Sequence, residues 1–167
     1  MLKPSKALFF LTLFFSVLTP AWSEPSPARH HAVRLRPGQD LKVELTEFIL
    51  KHKLKACALV TCVGSLTRAK LRFADQEKGK IIEGPLEILT LQGCGGNGKW
   101  HLHLSVADQN GRMTGGHLLD GSIVRTTAEI VLVELTELDF QRVYDPESGY
   151  RELKIKPRSI NSKDECH

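Results

Sequence analysis

From residue 56 onward, the sequence is a succession of short apolar and β-branched stretches, and only one earlier segment has helical periodicity. Strand-like stretches occupy residues 31–36, 56–63, 67–73, 81–91, 100–106, 114–119, 126–135, 140–143 and 150–155. Gly, Pro, Asn and Asp turn signals separate them. One helix among many strands predicts an α+β domain with a mostly antiparallel sheet.

The helix is predicted over residues 41–53, with Asp40 as its N-cap. Leu41, Leu45 and Ile49 fall on one helical face, with charged residues elsewhere. Such an apolar stripe needs a sheet to lie against.

Residues 1–23 have the features of a secretory signal peptide. A basic start precedes an apolar run over residues 7–18, and Ala21 and Ser23 are the small residues three and one before a cut expected between Ser23 and Glu24. The alternatives are an uncleaved anchor and a mispredicted start codon. We expect a secreted or secretory-pathway protein. No second apolar stretch of that length follows, so no membrane span is expected after cleavage.

The predicted organisation is a signal peptide over 1–23, a flexible lead-in over 24–29, one domain over 30–157 and a polar tail over 158–167.

The chain has 23 Lys and Arg against 19 Asp and Glu. Removing residues 1–23 removes two lysines and no acid, which leaves a net charge of about +2. This near balance argues against a nucleic-acid binder that works through bulk charge.

The four cysteines are Cys57, Cys62, Cys94 and Cys166, and they permit three full disulfide pairings. Cys57 and Cys62 lie in an apolar run on one predicted strand and are interpreted as buried free thiols. Their odd spacing predicts that they face opposite sides of that strand and do not pair with each other.

One glycine-rich segment imitates a phosphate-binding loop. Residues 93–99 fit the first seven positions of the pattern GxxxxGK, but Trp100 stands where the magnesium-binding hydroxyl belongs, and a strand pattern follows in place of a helix. We therefore interpret the segment as a bend between two strands.

Three histidines carry the candidate site. His101 and His103 share one face of a predicted strand, and the Asn-Gly pair that follows indicates a hairpin with two possible registers. A two-residue loop at 110–111 turns His117 away from the pair. A three-residue loop over 109–111 sets His103 directly opposite His117, so that three imidazoles converge.

Three convergent imidazoles can bind zinc and leave a fourth position open for water or a ligand. Copper, iron and nickel also accept imidazole. The alternative is a polar subunit interface in which His101, His103 and His117 form hydrogen bonds without metal. No pattern of nucleophilic catalysis is present. A metal-dependent reaction would need a base, for which Glu129 and Asp108 are the candidates, and Asp120 is a further carboxylate that could assist a metal-bound water.

An ordered series of segments resembles the PPC domain, also called DUF296. The segments are 36–40 (RPGQD), 64–65 (GS), 71–73 (LRF), 84–93 (GPLEILTLQG), 101–108 (HLHLSVAD), Gly111, 115–118 (GGHL), Gly121 and 127–130 (TAEI). The resemblance implies a helix packed between antiparallel sheets in a subunit that forms a homotrimer. Similar plant domains follow AT-hooks in nuclear proteins. Prokaryotic relatives consist of the domain alone, and some look metal-containing, with matching residues here at His101, His103 and His117.

The leading functional hypothesis is a trimeric, non-enzymatic module that binds a metal or small ligand, or a protein partner, through its His-lined face. The first alternative is a metal-dependent hydrolase or lyase with a three-His zinc site. The second is a DNA-associated regulatory protein. Because the sequence lacks an AT-hook and carries a predicted signal peptide, no nucleic-acid binding is expected.

Overall fold

The structure is a computed structural model that describes residues 25–159. In this part of the chain it contains one helix, α1 (Leu41–Lys51), and eight strands. The strands are β1 (Ala28–Leu35), β2 (Cys57–Arg72), β3 (Lys80–Gly96), β4 (Lys99–Ala107), β5 (Met113–Leu118), β6 (Ile123–Leu135), β7 (Leu138–Tyr144) and β8 (Arg151–Pro157). The predicted signal peptide and most of the predicted polar tail lie outside the described residues.

Six strands form one antiparallel sheet in the order β1-β6-β2-β3-β4-β5. The far end of β2 also pairs with β5, through Leu71 with Leu118 and Arg72 with His117. Strands β2 to β5 therefore close on themselves, and β4 and β5 are held between partners on both sides. Strands β7 and β8 form a separate antiparallel hairpin. The predicted antiparallel α+β architecture is confirmed.

Helix α1 begins where Asp40 caps it: the Asp40 carboxylate accepts hydrogen bonds from the backbone N–H groups of Lys42 (3.0 Å) and Val43 (3.3 Å). Leu41, Leu45 and Ile49 are fully buried in the main core. The opposite side is exposed, with Val43 37 % accessible, so within the chain the helix packs on one sheet and is not enclosed between two. Among the described residues, no helix is long and apolar enough to span a membrane.

Strand β2 joins two stretches predicted as separate strands, 56–63 and 67–73, and β3 continues through a Gly-Pro pair. Strand β2 continues past Gly64, and β3 continues past Gly84-Pro85. Gly64 has φ of +146°, and a Cβ there would lie 2.0 Å from the carbonyl oxygen of Thr127. Glycine thus lets two backbones approach closely while the ladder continues. Residues 93–96 end β3, and Asn97-Gly98 forms the turn into β4, so the phosphate-loop imitation lies in a β-hairpin.

Both cysteines of β2 are buried, 0 % accessible for Cys57 and 3 % for Cys62, and they are free. The prediction that they face opposite sides is wrong. A register shift between Leu59 and Thr61 inserts an extra residue into β2, which changes the alternation and turns both thiols into the same hydrophobic core.

The ends of the described chain are joined to the sheet through buried Glu134. Its carboxylate lies 3.3 Å from the His31 ring and 3.7 Å from the guanidinium groups of Arg29 and Arg158. Strand β1 begins at Ala28, inside the segment expected to be a flexible lead-in, where it pairs with Leu135. Backbone pairing and this ionic cluster order residues that lack an apolar pattern of their own.

Candidate metal centre

The β4–β5 hairpin adopts the three-residue register. The backbone N–H of Asp108 donates to the carbonyl of Arg112 (3.0 Å), and that of Gly111 donates to the carbonyl of Asp108 (2.9 Å). Gly111 has φ of +74°, the left-handed conformation that glycine adopts without strain. His103 is consequently paired directly with His117, as this register predicts.

The three predicted histidines lie together on one face of the sheet. Their potential ligand nitrogens all lie within 4.8 Å of one another. The ring of His103 is 4.4 Å from that of His117 and 5.1 Å from that of His101, centroid to centroid, and the His101 and His117 rings are nearly parallel at 5.1 Å. Strand alternation turns Leu102 and Leu104 into the core on the opposite face.

This donor set fits a metal ion that prefers imidazole. Zinc–nitrogen bonds of about 2.0–2.1 Å in tetrahedral geometry place ligand nitrogens about 3.3 Å apart. Rotation of exposed His101 and His103 side chains can bring their nitrogens to that separation. Such an ion would supply a Lewis acid with one position left for a small molecule.

The electrostatic surroundings favour neutral imidazoles. Burial, followed by the charge of Arg142, lowers the pKa of His101 below its ordinary value of 6.5, against a smaller raising effect of Glu152. Burial, followed by the charge of Arg72, lowers the pKa of His117. Only neutral imidazole binds metal, so both side chains are in the ligating form at neutral pH.

Four residues beside the cluster were not recognised from the sequence. Arg72 on β2 pairs with His117, and Cys94 on β3 pairs with His101. Arg142 on β7 donates to the carbonyl oxygen of Cys94 (3.5 Å) and approaches its sulfur (3.6 Å). Glu152 on β8 borders the same cleft, of about 1100 Å³, as His101 and His117. No local pattern marks these residues, because they meet only through strand pairing and hairpin placement.

Of the three carboxylates named from the sequence, Asp120 borders the cleft and is paired with Lys42, whereas Asp108 and Glu129 lie away from the cluster. Asp108 closes the hairpin loop, where it accepts hydrogen bonds from the N–H groups of Asn110 and Arg112. Glu129 pairs with Val63, nine residues before Arg72 along β2, a strand length of roughly 30 Å. Neither carboxylate is placed to accept a proton from a ligand at the histidines.

The fold and site together define a class of protein: a small antiparallel sheet, closed through β2 to β5, with one packed helix and three imidazoles on its β4–β5 face. The sequence profile of the Plants and Prokaryotes Conserved (PCC) domain matches residues 22–136. The chain therefore belongs to this family, which confirms the resemblance to the PPC domain.

Two comparisons illustrate the family. The chain is 43 % identical over 154 residues to bifunctional protein GlmU of Synechococcus sp. strain JA-3-3Ab; the match covers 85 % of this chain and 25 % of the relative, so the chain spans only about a quarter of that protein. A hypothetical protein from Salmonella enterica is 42 % identical with a TM-score of 0.80, covering 81 % of this chain and 99 % of that one.

More distant structures share the fold. A metal-containing protein from Archaeoglobus fulgidus has a TM-score of 0.69 at 24 % identity, covering 81 % of this chain and 99 % of that one. A candidate DNA-binding protein from Bacteroides thetaiotaomicron has a TM-score of 0.65 at 22 % identity, covering 75 % and 91 %. At these identities the similarity shows the fold alone.

Proposed function

We propose that this chain is a non-enzymatic metal-binding module in which His101, His103 and His117 hold a divalent transition metal, with zinc as the first candidate. The observation that carries the proposal is the convergence of three imidazoles, with ligand nitrogens within 4.8 Å, on one face of two paired strands. The metal-containing relative from Archaeoglobus fulgidus adds support at the level of the fold.

Binding is favoured over a hydrolase or lyase activity because the positions of the acids do not suit proton transfer. Asp108 and Glu129 lie away from the cluster. Glu152, which borders the cleft, accepts a hydrogen bond from the Ser148 hydroxyl at 2.8 Å. Asp75 and Asp120 also border the cleft, and the Asp120 carboxylate is paired with the Lys42 ammonium at 2.9 Å. No carboxylate of residues 25–159 joins the three-histidine cluster, so the arrangement favours holding a ligand over transferring its proton.

The proposal is tested by the zinc content and zinc affinity of untagged full-length protein. His117→Ala removes one of three ligands and is expected to weaken zinc binding by roughly a hundredfold or more, taking about 10–16 kcal/mol for a four-ligand zinc site as the scale. His30→Ala is the matched control, because His30 is exposed on β1 and outside the cluster. If the protein binds one equivalent of zinc and His117→Ala does not lower the zinc affinity, the assignment of the three histidines as ligands is refuted.

We further propose that the module assembles as a homotrimer, as the family resemblance implies. Exposed apolar side chains on β2 and β3, Val60 (56 %), Val63 (54 %) and Leu89 (43 %), offer a surface for copies of the same chain. Light scattering coupled to gel filtration should give three times the chain mass. Val63→Glu should reduce it, whereas Met113→Glu, at a separate exposed site, should not.

Export and the absence of nucleic-acid binding complete the proposal. N-terminal sequencing of exported protein should show cleavage between Ser23 and Glu24. A·T-rich DNA should not be specifically retained at moderate salt, because the predicted mature chain has nearly balanced charge; salt-resistant retention would revive the DNA-associated alternative.

A further inference from the structure

The cleft beside the histidine cluster contains more positive than negative charge. Five lysine and arginine side chains and three carboxylates border it. One pair is neutralised within the chain, since the Lys42 ammonium lies 2.9 Å from the Asp120 carboxylate. The remaining cations outnumber the remaining acids, Asp75 and Glu152, by two to one. A ligand that enters this cleft therefore gains by carrying negative charge.

Two partly buried guanidinium groups flank the imidazoles on opposite sides. Arg72 is paired with His117 on the β2 side, and Arg142 contacts Cys94, the β3 partner of His101. Each guanidinium uses one terminal nitrogen within the protein, Arg72 to the carbonyl of Gln76 (3.2 Å) and Arg142 to Cys94. Neither forms an ion pair with a carboxylate of residues 25–159.

We propose that this cleft binds a small oxyanion, a carboxylate or phosphoryl group, between the Arg72 and Arg142 guanidinium groups and beside the histidine cluster. Guanidinium presents donors in a planar fork that matches both groups. The inference deepens the proposed function, on which it rests for the metal that would share the ligand. It assigns the ligand class without requiring a reaction.

The test uses the full chain carrying Trp22→Phe, so that cleft-lining Trp100 is the remaining tryptophan. Acetate and inorganic phosphate are titrated into metal-free protein and into protein with one equivalent of zinc, with chloride at equal ionic strength as the reference. Trp100 fluorescence gives the affinity, and the melting temperature reports ligand stabilisation independently. We expect saturable binding of at least one anion, tighter with zinc; the preferred anion identifies the ligand as carboxylate or phosphate.

Arg72→Gln and Arg142→Gln should each weaken anion binding roughly ten- to a hundredfold, as expected for loss of a charged hydrogen-bond donor, with zinc affinity retained. Arg72→Lys and Arg142→Lys keep the charge without the fork and should give intermediate losses if a glutamine variant misfolds. Arg125→Gln is the charge-matched control, because Arg125 is exposed on β6 and outside the cleft lining.

The outcomes separate the two proposals. Failure of zinc to bind overturns the metal site, while the metal-free titration still decides the anion site. If neither anion gives a saturable response beyond chloride in either sample, or if Arg125→Gln weakens binding as much as the cleft variants, the anion site is overturned.

Discussion

Gly93→Ala should damage both the fold and the metal site, because a methyl group at this position collides with the backbone of a proposed ligand. Gly93 has φ of +145°, and its Cβ would lie 1.9 Å from the carbonyl oxygen of His101, whereas real Cβ contacts stay above 3.0 Å. Strand β4 must therefore move away from β3 by more than about 1 Å, which exceeds the roughly 0.5 Å range of good N–H···O distances. The adjacent ladder hydrogen bonds are lost, and His101 is displaced from the cluster.

The size of the effect follows from these two costs. Left-handed backbone costs an L-residue about 1–2 kcal/mol, and two broken ladder hydrogen bonds add about 2 kcal/mol. At roughly 4 °C per kcal/mol for a domain of this size, Gly93→Ala should lower the melting temperature by about 12–16 °C. Gly111→Ala is the control: φ is +74° with no atom within 4 Å of its Cβ, so only strain remains, about 4–8 °C.

Calorimetry and zinc titration on the two variants distinguish strain from collision. Zinc affinity should fall in Gly93→Ala and stay unchanged in Gly111→Ala, which leaves the hairpin register intact. Equal destabilisation of the two variants, or full zinc affinity in Gly93→Ala, would show that β4 accommodates the methyl group without moving His101 and would refute the reasoning.

Three further predictions concern protonation, thiol reactivity and helix capping. The pKa values of His101 and His117 are lowered on folding, so the unfolded chain binds more protons than the folded chain near and below pH 6.5. The free energy of unfolding of the metal-free protein should therefore fall as the pH drops from 7 to 5. Urea titrations of the double variant His101→Asn/His117→Asn should show a weaker pH dependence. Burial raises the pKa of Cys57 and of Cys62 to about 12, so peptide mapping should find both unalkylated by iodoacetamide at pH 8 until denaturant is added. Asp40→Ala should lower the free energy of unfolding by about 1–2 kcal/mol in urea titrations. Asp40→Asn should restore only part of that loss, because its side-chain oxygen can cap the helix but its amide nitrogen cannot accept the hydrogen bond that Asp40 Oδ2 receives from the backbone N–H of Gly121.

The parts of the fold that depend on local rules were predictable. The N-cap at Asp40 and the apolar stripe of α1 predicted the helix. Its predicted end at residue 53 lies beyond its observed end at Lys51, because Lys53 adopts a left-handed φ of +53°. Strand alternation predicted that His101 and His103 share a face, but two hairpin registers stayed open, and the three-residue loop over 109–111 is the one that brings His117 to them. The helix cap and the shared face of His101 and His103 are set by neighbours in sequence, whereas the position of His117 depends on the hairpin register.

Features that depend on strand curvature were missed. The bulge between Leu59 and Thr61 reversed the facing of Cys62 relative to simple alternation, and β2 continues through Gly64, where the sequence predicted a break between two strands. A bulge bends the strand that contains it, and a strand glycine lets a second backbone approach closely. Where each occurs depends on how the neighbouring strands pair, which the residues of β2 alone do not fix.

The same limit explains why the histidines were predictable and their cationic surroundings were not. Arg142 reaches the site from a hairpin whose position depends on a small cluster of Ala56, Leu138 and Phe140 beside the main core. This placement has a chemical consequence. The charges of Arg142 and Arg72, which help to lower the pKa values of His101 and His117, also attract an anion to the adjacent cleft. Removing Arg72 or Arg142 should therefore raise the pKa of the neighbouring imidazole and weaken anion binding. Zinc affinity at neutral pH should be retained, because the lost charge had also repelled the metal cation.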